Sequence, residues 1–85
     1  MATIEVYSSD RCPYCVKAKA LLDRKGVEYK EINVTDDDEA RVALVKKANG
    51  VRTVPQIFID ENHVGGCDDL YELDRKGELD PMIGL

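Results

Sequence analysis

Thr3-Ile4-Glu5-Val6-Tyr7-Ser8-Ser9-Asp10-Arg11-Cys12-Pro13-Tyr14-Cys15 decides how this chain folds. Residues 3–7 are β-branched and aromatic with charge interleaved, which predicts a strand, and Ser8-Ser9-Asp10 is a turn cluster. From residue 13 to 25 the period changes. Cys15, Ala18, Leu21 and Leu22 fall at i, i+3, i+6 and i+7, on one face of a helix. Pro13 suits the first helical position, because its φ is already helical and the N–H it lacks would have had no partner there. Cys12 therefore falls at or beside the N-cap.

The start of a helix carries partial positive charge and unpaired N–H groups, and both favour an anion. A thiol held there is favoured as thiolate, which is the nucleophile in disulfide chemistry. Arg11 adds a neighbouring cation. Cys15 follows one turn later, within reach of Cys12 but deeper under the helix. The pair is thus expected to make and break disulfides, with Cys12 attacking and Cys15 resolving. The plainer reading of a CxxC is a structural staple or two reduced core thiols; its place at a strand-to-helix junction argues for redox use.

Gly26 after Arg24 and Lys25 reads as a helix stop. Residues 28–34 alternate as a second strand, and a strand–helix–strand run of this length predicts parallel strands. Thr35 to Asp38 form a capping signal for a helix with an Ala40, Ala43, Leu44 and Ala48 stripe, ended by Asn49-Gly50. Gln56-Ile57-Phe58-Ile59-Asp60 reads as a strand buried on both faces. Glu61-Asn62 is a tight connection into a short returning strand at His63-Val64. After Gly65-Gly66 a last helix is expected over about 67–76. Asp68 and Asp69 at its start and Arg75 and Lys76 at its end match the helix dipole, and Gly77 closes it.

The 85 residues suit one domain, 1–85, around one modest core. A net charge of −5 argues against nucleic acid as a partner. No segment approaches the roughly 20 apolar residues of a membrane span. Residues 1–10 lack the basic start and apolar run of a signal peptide, so a cytoplasmic, reducing setting is expected. The odd count of three cysteines argues against a stapled secreted domain.

The β-α-β-α-β-β-α order with a CxxC after the first strand is that of the thioredoxin fold, an α/β fold in which a four-stranded mixed sheet is flanked by three helices. Over nearly the whole chain it resembles the glutaredoxins, dithiol class. Three blocks carry the likeness: Cys12-Pro13-Tyr14-Cys15, Thr53-Val54-Pro55, and Gly65-Gly66-Cys67-Asp68-Asp69-Leu70. The resemblance implies a glutathione-dependent thiol–disulfide oxidoreductase acting on protein disulfides and protein–glutathione mixed disulfides. Glutathione would be the reductant and co-substrate, with no metal expected. Disulfide-containing or glutathionylated proteins, among them ribonucleotide reductase, would be the partners, and the protein would act as a monomer.

The resemblance also assigns the glutathione contacts. Val54 precedes a proline and so should be extended; its backbone would pair with the cysteinyl backbone of glutathione like an added strand. In the family the bond before Pro55 is cis. Thr53 belongs to the same block. The amides of Gly66 and Cys67 at a helix start would hold the γ-glutamyl carboxylate. Asp68 would meet the ammonium group, although capping the helix would equally explain an aspartate there. Tyr14 would flank the bound tripeptide, or else be a half-buried aromatic of the helix. Arg52 and Gln56 are weaker candidates for the glycyl carboxylate. Many glutaredoxins carry Lys or Arg three residues before the first cysteine, where this chain has Ser9; Arg11 is the candidate substitute.

Two rival readings stand beside this one. Cys12, Cys15, His63 and Cys67 form a Cys-x2-Cys…His-x3-Cys set that could in principle ligate zinc. Iron–sulfur binding with glutathione occurs in some relatives, but proline after the first cysteine disfavours it. Within the fold, an electron donor reduced by thioredoxin reductase is the alternative. Cys67 reads either as a small packing residue or as a thiol open to oxidation.

Overall fold

Alternation along the first strand sorts its side chains to two layers. The computed structural model describes residues 2–85. Its elements are β1 (Ile4–Ser8), α1 (Pro13–Lys25), β2 (Lys30–Asn33), α2 (Asp38–Lys47), β3 (Gln56–Ile59), β4 (Asn62–Gly65), α3 (Cys67–Arg75) and α4 (Leu79–Met82). The sheet order is β2-β1-β3-β4. β1 runs parallel to β2 and antiparallel to β3, and β3 runs antiparallel to β4. This is the four-stranded mixed sheet of the thioredoxin fold.

Ile4 and Val6 of β1 and Ile57 and Ile59 of β3 face one way, onto Ala18, Leu21 and Leu22 of α1 and Leu70 of α3. Tyr7 and Phe58 face the other way, onto Leu44 of α2 and Ala48 just beyond it. Their rings meet edge to face at 5.6 Å. Every position of β3 is buried, as its unbroken apolar run predicts for a central strand.

Local chemistry sets the ends. Gly26 sits at φ +71° and its amide bonds back to the Asp23 carbonyl, a left-handed stop that costs glycine little. Asp37 caps α2 by accepting the Ala40 amide at 3.0 Å. Asp60 and Glu61 both have positive φ, the twist a two-residue hairpin needs between β3 and β4.

Two expectations are corrected. Among the described residues four helices flank the sheet, not three: α4 follows Gly77 and brings Leu79, with Ile83 after it, into the layer of α1 and α3. It is one turn long, too short to show a period. Leu44 of α2 and its C-cap Ala48 are buried and Ala40 is partly so, but Ala43 is exposed. One ridge spaced by four meets the sheet, and Ala43 lies about 100° round the helix from Leu44.

Candidate active site

Cys12 is the N-cap of α1, in extended backbone just before Pro13 at N1. Its sulfur accepts a hydrogen bond from the Cys15 amide at 3.2 Å. A helix-start donor thus points at the sulfur, in the manner that favours an anion. The same sulfur lies 3.8 Å from the Val54 carbonyl, to which the thiol donates. Cys15 is only 1% exposed. Burial, followed by the hydrogen bond with Cys12, pushes its thiol up to about 12, while the Ser9 amide and Lys19 pull the other way. The three cysteines are all free. One accessible sulfur with a buried one beneath it is a geometry for sequential thiol exchange.

Beside the CxxC runs a groove of about 350 Å³. Tyr14, Thr53, Val54, Pro55, Gly66, Cys67 and Asp68 all line it, so seven residues singled out in sequence from three separate blocks meet there. Val54–Pro55 is cis. Among the described residues the Val54 amide donates no hydrogen bond, and its carbonyl accepts only from Cys12. Tyr14 is 60% exposed, so it stands over the groove and is not half-buried in the helix. Gly66 is the N-cap of α3.

The cap of α3 falls to a neighbour of the expected residue. Asp69 reaches back to accept the Gly66 amide at 3.1 Å, and Asp68 makes no hydrogen bond or ion pair among the described residues. Gly65 makes room for this: at φ +121° a Cβ there would sit 2.2 Å from Asp69 Oδ2. The carboxylate of Asp68 is left free on the groove.

Gln56, a weaker candidate in sequence, also lines the groove, and His63 and Val51 join it without having been legible as groove residues. Gln56 is buried, donates to Thr53 Oγ1 at 3.2 Å and meets His63 Nε2 at 2.6 Å through Oε1. His63 also stacks on Phe58 at 4.9 Å. Gln56 is therefore not a solvated edge residue, whereas His63 is exposed on the edge strand β4, as a polar residue there should be. Val51 completes the wall. No periodicity announces these side chains; only the pairing of β3 with β4 brings Gln56 and His63 together.

Arg11 lies elsewhere. It lines a second concavity, with Ser9, Asp10, Cys12, Pro13, Val16, Lys19, Glu31 and Asn33, and no part of it borders the groove. Arg52 faces a third, against Arg41 and Val42 of α2. Cys67 is 5% exposed in the α1–α3 layer, and burial pushes its thiol up, as fits a packing residue. Among the described residues no group of three or more His, Cys, Asp or Glu is placed to hold a metal ion, so Cys12, Cys15, His63 and Cys67 do not form a ligand set. Among them, too, no helix is long and apolar enough to cross a membrane.

Comparison with known proteins meets the same residues. The glutaredoxin family model matches residues 4–64, from β1 through the CxxC and the cis-proline loop into β4. The chain belongs to the glutaredoxin family. It is 55% identical over 82 residues to a probable glutaredoxin of Synechocystis sp., covering 96% of this chain and 93% of the relative. It is 51% identical over 83 residues to glutaredoxin 3 of Escherichia coli (strain K12), covering 98% and 99%. Among solved structures, glutaredoxin from Brucella melitensis superposes with a TM-score of 0.85 at 47% identity, covering 98% of this chain and 89% of that one. A buckwheat glutaredoxin–glutathione complex superposes with a TM-score of 0.87 at 36% identity, covering 96% and 76%. Membership in the glutaredoxin family gives the chain a thiol–disulfide oxidoreductase role.

Proposed function

We propose that this glutaredoxin is glutathione-dependent and that Cys12 is its nucleophile, with Cys15 resolving. The observation that carries the proposal is the meeting of Cys12 Sγ with the Val54 carbonyl, which sets the part-buried sulfur at the wall of a groove about 350 Å³ in volume. The groove's polar groups suit the tripeptide. The unpaired Val54 amide offers an antiparallel pairing to its cysteinyl backbone. The amides that open α3 at Gly66 and Cys67 suit a carboxylate. The free Asp68 carboxylate suits its ammonium group. Thr53, Pro55 and Tyr14 supply walls. The position of Arg11 supports a place beside Cys12 but no contact with glutathione in this groove.

In the monothiol route Cys12 thiolate attacks the glutathione sulfur of a protein–glutathione mixed disulfide. The protein sulfur leaves as a thiolate and takes up a proton, and Cys12 carries the glutathionyl group. That disulfide is opened by a second glutathione, which releases oxidised glutathione and restores Cys12. In the dithiol route Cys12 attacks a protein disulfide and Cys15 then displaces the product, closing the Cys12–Cys15 bond. Glutathione reduces that bond in turn. Glutathionylated and disulfide-containing proteins are the substrate class, with ribonucleotide reductase among the candidates.

Coupled turnover tests this. With glutathione and glutathione reductase the chain should reduce a glutathionylated peptide, Cys15→Ser should retain that activity and Cys12→Ser should abolish it. Turnover with thioredoxin reductase but none with glutathione would replace the glutathione reading with the other electron donor. Full activity of Cys12→Ser would overturn the assignment of the nucleophile.

A further inference from the structure

The dithiol route asks a buried thiol to act as a nucleophile. Cys15 must lose its proton, its sulfur must attack the Cys12 sulfur, and the Cys12–substrate bond must break. The departing thiolate takes up a proton, so the substrate disulfide gains two electrons and the cysteine pair loses them. Burial opposes the first event. Something must offset it at the resolving sulfur itself.

Lys19 is four residues after Cys15 on α1, and residues so spaced share a helix face. Its ammonium is 2.6 Å from Glu31 Oε2, and the same oxygen accepts the Ser8 hydroxyl at 2.6 Å. Ser8 is fully buried at the end of β1, on the side of the sheet that carries Ile4 and Val6 and packs under α1. Glu31 is opposite Val6 in the parallel register of β1 and β2. Two adjacent strands therefore fix the carboxylate, and the carboxylate fixes the ammonium over the first turns of α1. Lys19 and Glu31 also line the concavity that contains Cys12. An ordinary surface ion pair has no need of a buried hydroxyl on the same oxygen.

We propose that Lys19, held in place by Glu31 and Ser8, supplies the positive charge that lets Cys15 act as the resolving thiolate, and that it serves the dithiol route alone. The monothiol route never ionises Cys15. Electrostatics run in the required direction: after the Ser9 amide, Lys19 is the group that favours the Cys15 thiolate, and the Glu31 bond keeps Lys19 protonated. Glu31 and Ser8 are positioning residues acting through Lys19. The inference rests on the dithiol route proposed above.

The test compares two substrates, a glutathionylated peptide and a peptide with an internal disulfide, and adds a direct reading of Cys15. Lys19→Met should slow turnover of the disulfide peptide about fivefold, the upper range for one part-exposed charge pair, and change the glutathionylated peptide less than twofold. Lys19→Arg should restore the first rate. In a Cys12→Ser, Cys67→Ser background, where Cys15 is the remaining thiol, Lys19→Met should slow its alkylation by neutral iodoacetamide by a similar factor. Equal loss on both substrates, an unchanged alkylation rate, or slowed alkylation with no loss on the disulfide peptide would each overturn the proposal. If the unsubstituted chain reduced neither peptide with glutathione, the parent reading would fail, while the alkylation arm would still decide the effect of Lys19 on Cys15.

Discussion

Asp69 Oδ2 accepts the Gly66 amide at 3.1 Å, so the carboxylate that closes the start of α3 is Asp69 and its neighbour Asp68 is spared that duty. Adjacent residues on a helix point about 100° apart, and here that angle separates a fold-stabilising group from one that faces the groove. The two aspartates look interchangeable in sequence and should respond differently to substitution.

Asp68→Asn should raise KM for a glutathionylated peptide about tenfold with kcat little changed, since a charge-assisted hydrogen bond contributes roughly 1.5–3 kcal/mol. Stability should hardly move. Asp69→Ala should instead lower stability by about 0.5–2 kcal/mol, the usual cost of a lost cap. Steady-state kinetics and urea midpoints on both variants check the division; a KM rise confined to Asp69→Ala would reverse it.

Burial of Cys15 makes stability depend on pH in the alkaline range. In the unfolded chain its thiol ionises near the ordinary value of 9.0, and in the folded chain burial pushes it up to about 12. The unfolded state thus sheds this proton first, and the contribution, fully present below pH 9, is lost as pH rises towards 12. Cys67, also pushed up by burial, adds a slope of the same sign. The reduced protein should therefore destabilise from pH 9 upward, and Cys15→Ala should flatten the decline. Denaturant titrations between pH 8 and 10.5 would show it; identical slopes in the two proteins would contradict it.

What was legible in sequence follows from the range over which each feature is determined. The strand, turn, Pro13 and CxxC lie within a dozen residues, and each is set by its neighbours' φ preferences and side-chain period. Gly26 and the Asp37 cap are equally local. The sense of Asp68 and Asp69, the exposure of Ala43 and the binding of Gln56 to His63 are not: each depends on which way an element faces after the sheet has formed. The Ser8–Glu31–Lys19 contact joins three elements across 23 residues of chain, and no spacing rule reaches that far. The seven groove residues from three blocks were read through the family likeness, since the residues alone do not say that those blocks meet.

Leu44 is buried against Tyr7 and Phe58 while Ala43 points to solvent, although both belong to the predicted apolar stripe. Leu44→Ala should cost about 2–5 kcal/mol through lost burial and a cavity. Ala43→Glu should stay within about 0.5 kcal/mol, as surface changes do. Thermal or urea unfolding of the two variants would separate them, and a large loss for Ala43→Glu would restore the broader stripe.

Gln56 joins the sheet to the cis-proline loop. Its amide nitrogen donates to Thr53 Oγ1 and its oxygen meets the His63 ring, so one buried side chain ties β3 to β4 on one side and to the loop on the other. Gln56→Met keeps the volume and removes both bonds, leaving Thr53 and His63 without their partner. Stability should fall by about 0.5–1.5 kcal/mol, the net contribution of a typical hydrogen bond, since Thr53 and His63 are exposed and can turn to water. Thr53 directly precedes Val54, whose carbonyl meets the Cys12 sulfur, so loosening the loop should also raise KM for a glutathionylated peptide. His63→Ala removes only the outer bond and the stack on Phe58, and its KM should shift less. Urea midpoints paired with steady-state kinetics test both halves. A Gln56→Met protein with lowered stability and an unaltered KM would show that the network holds the sheet together without positioning the loop.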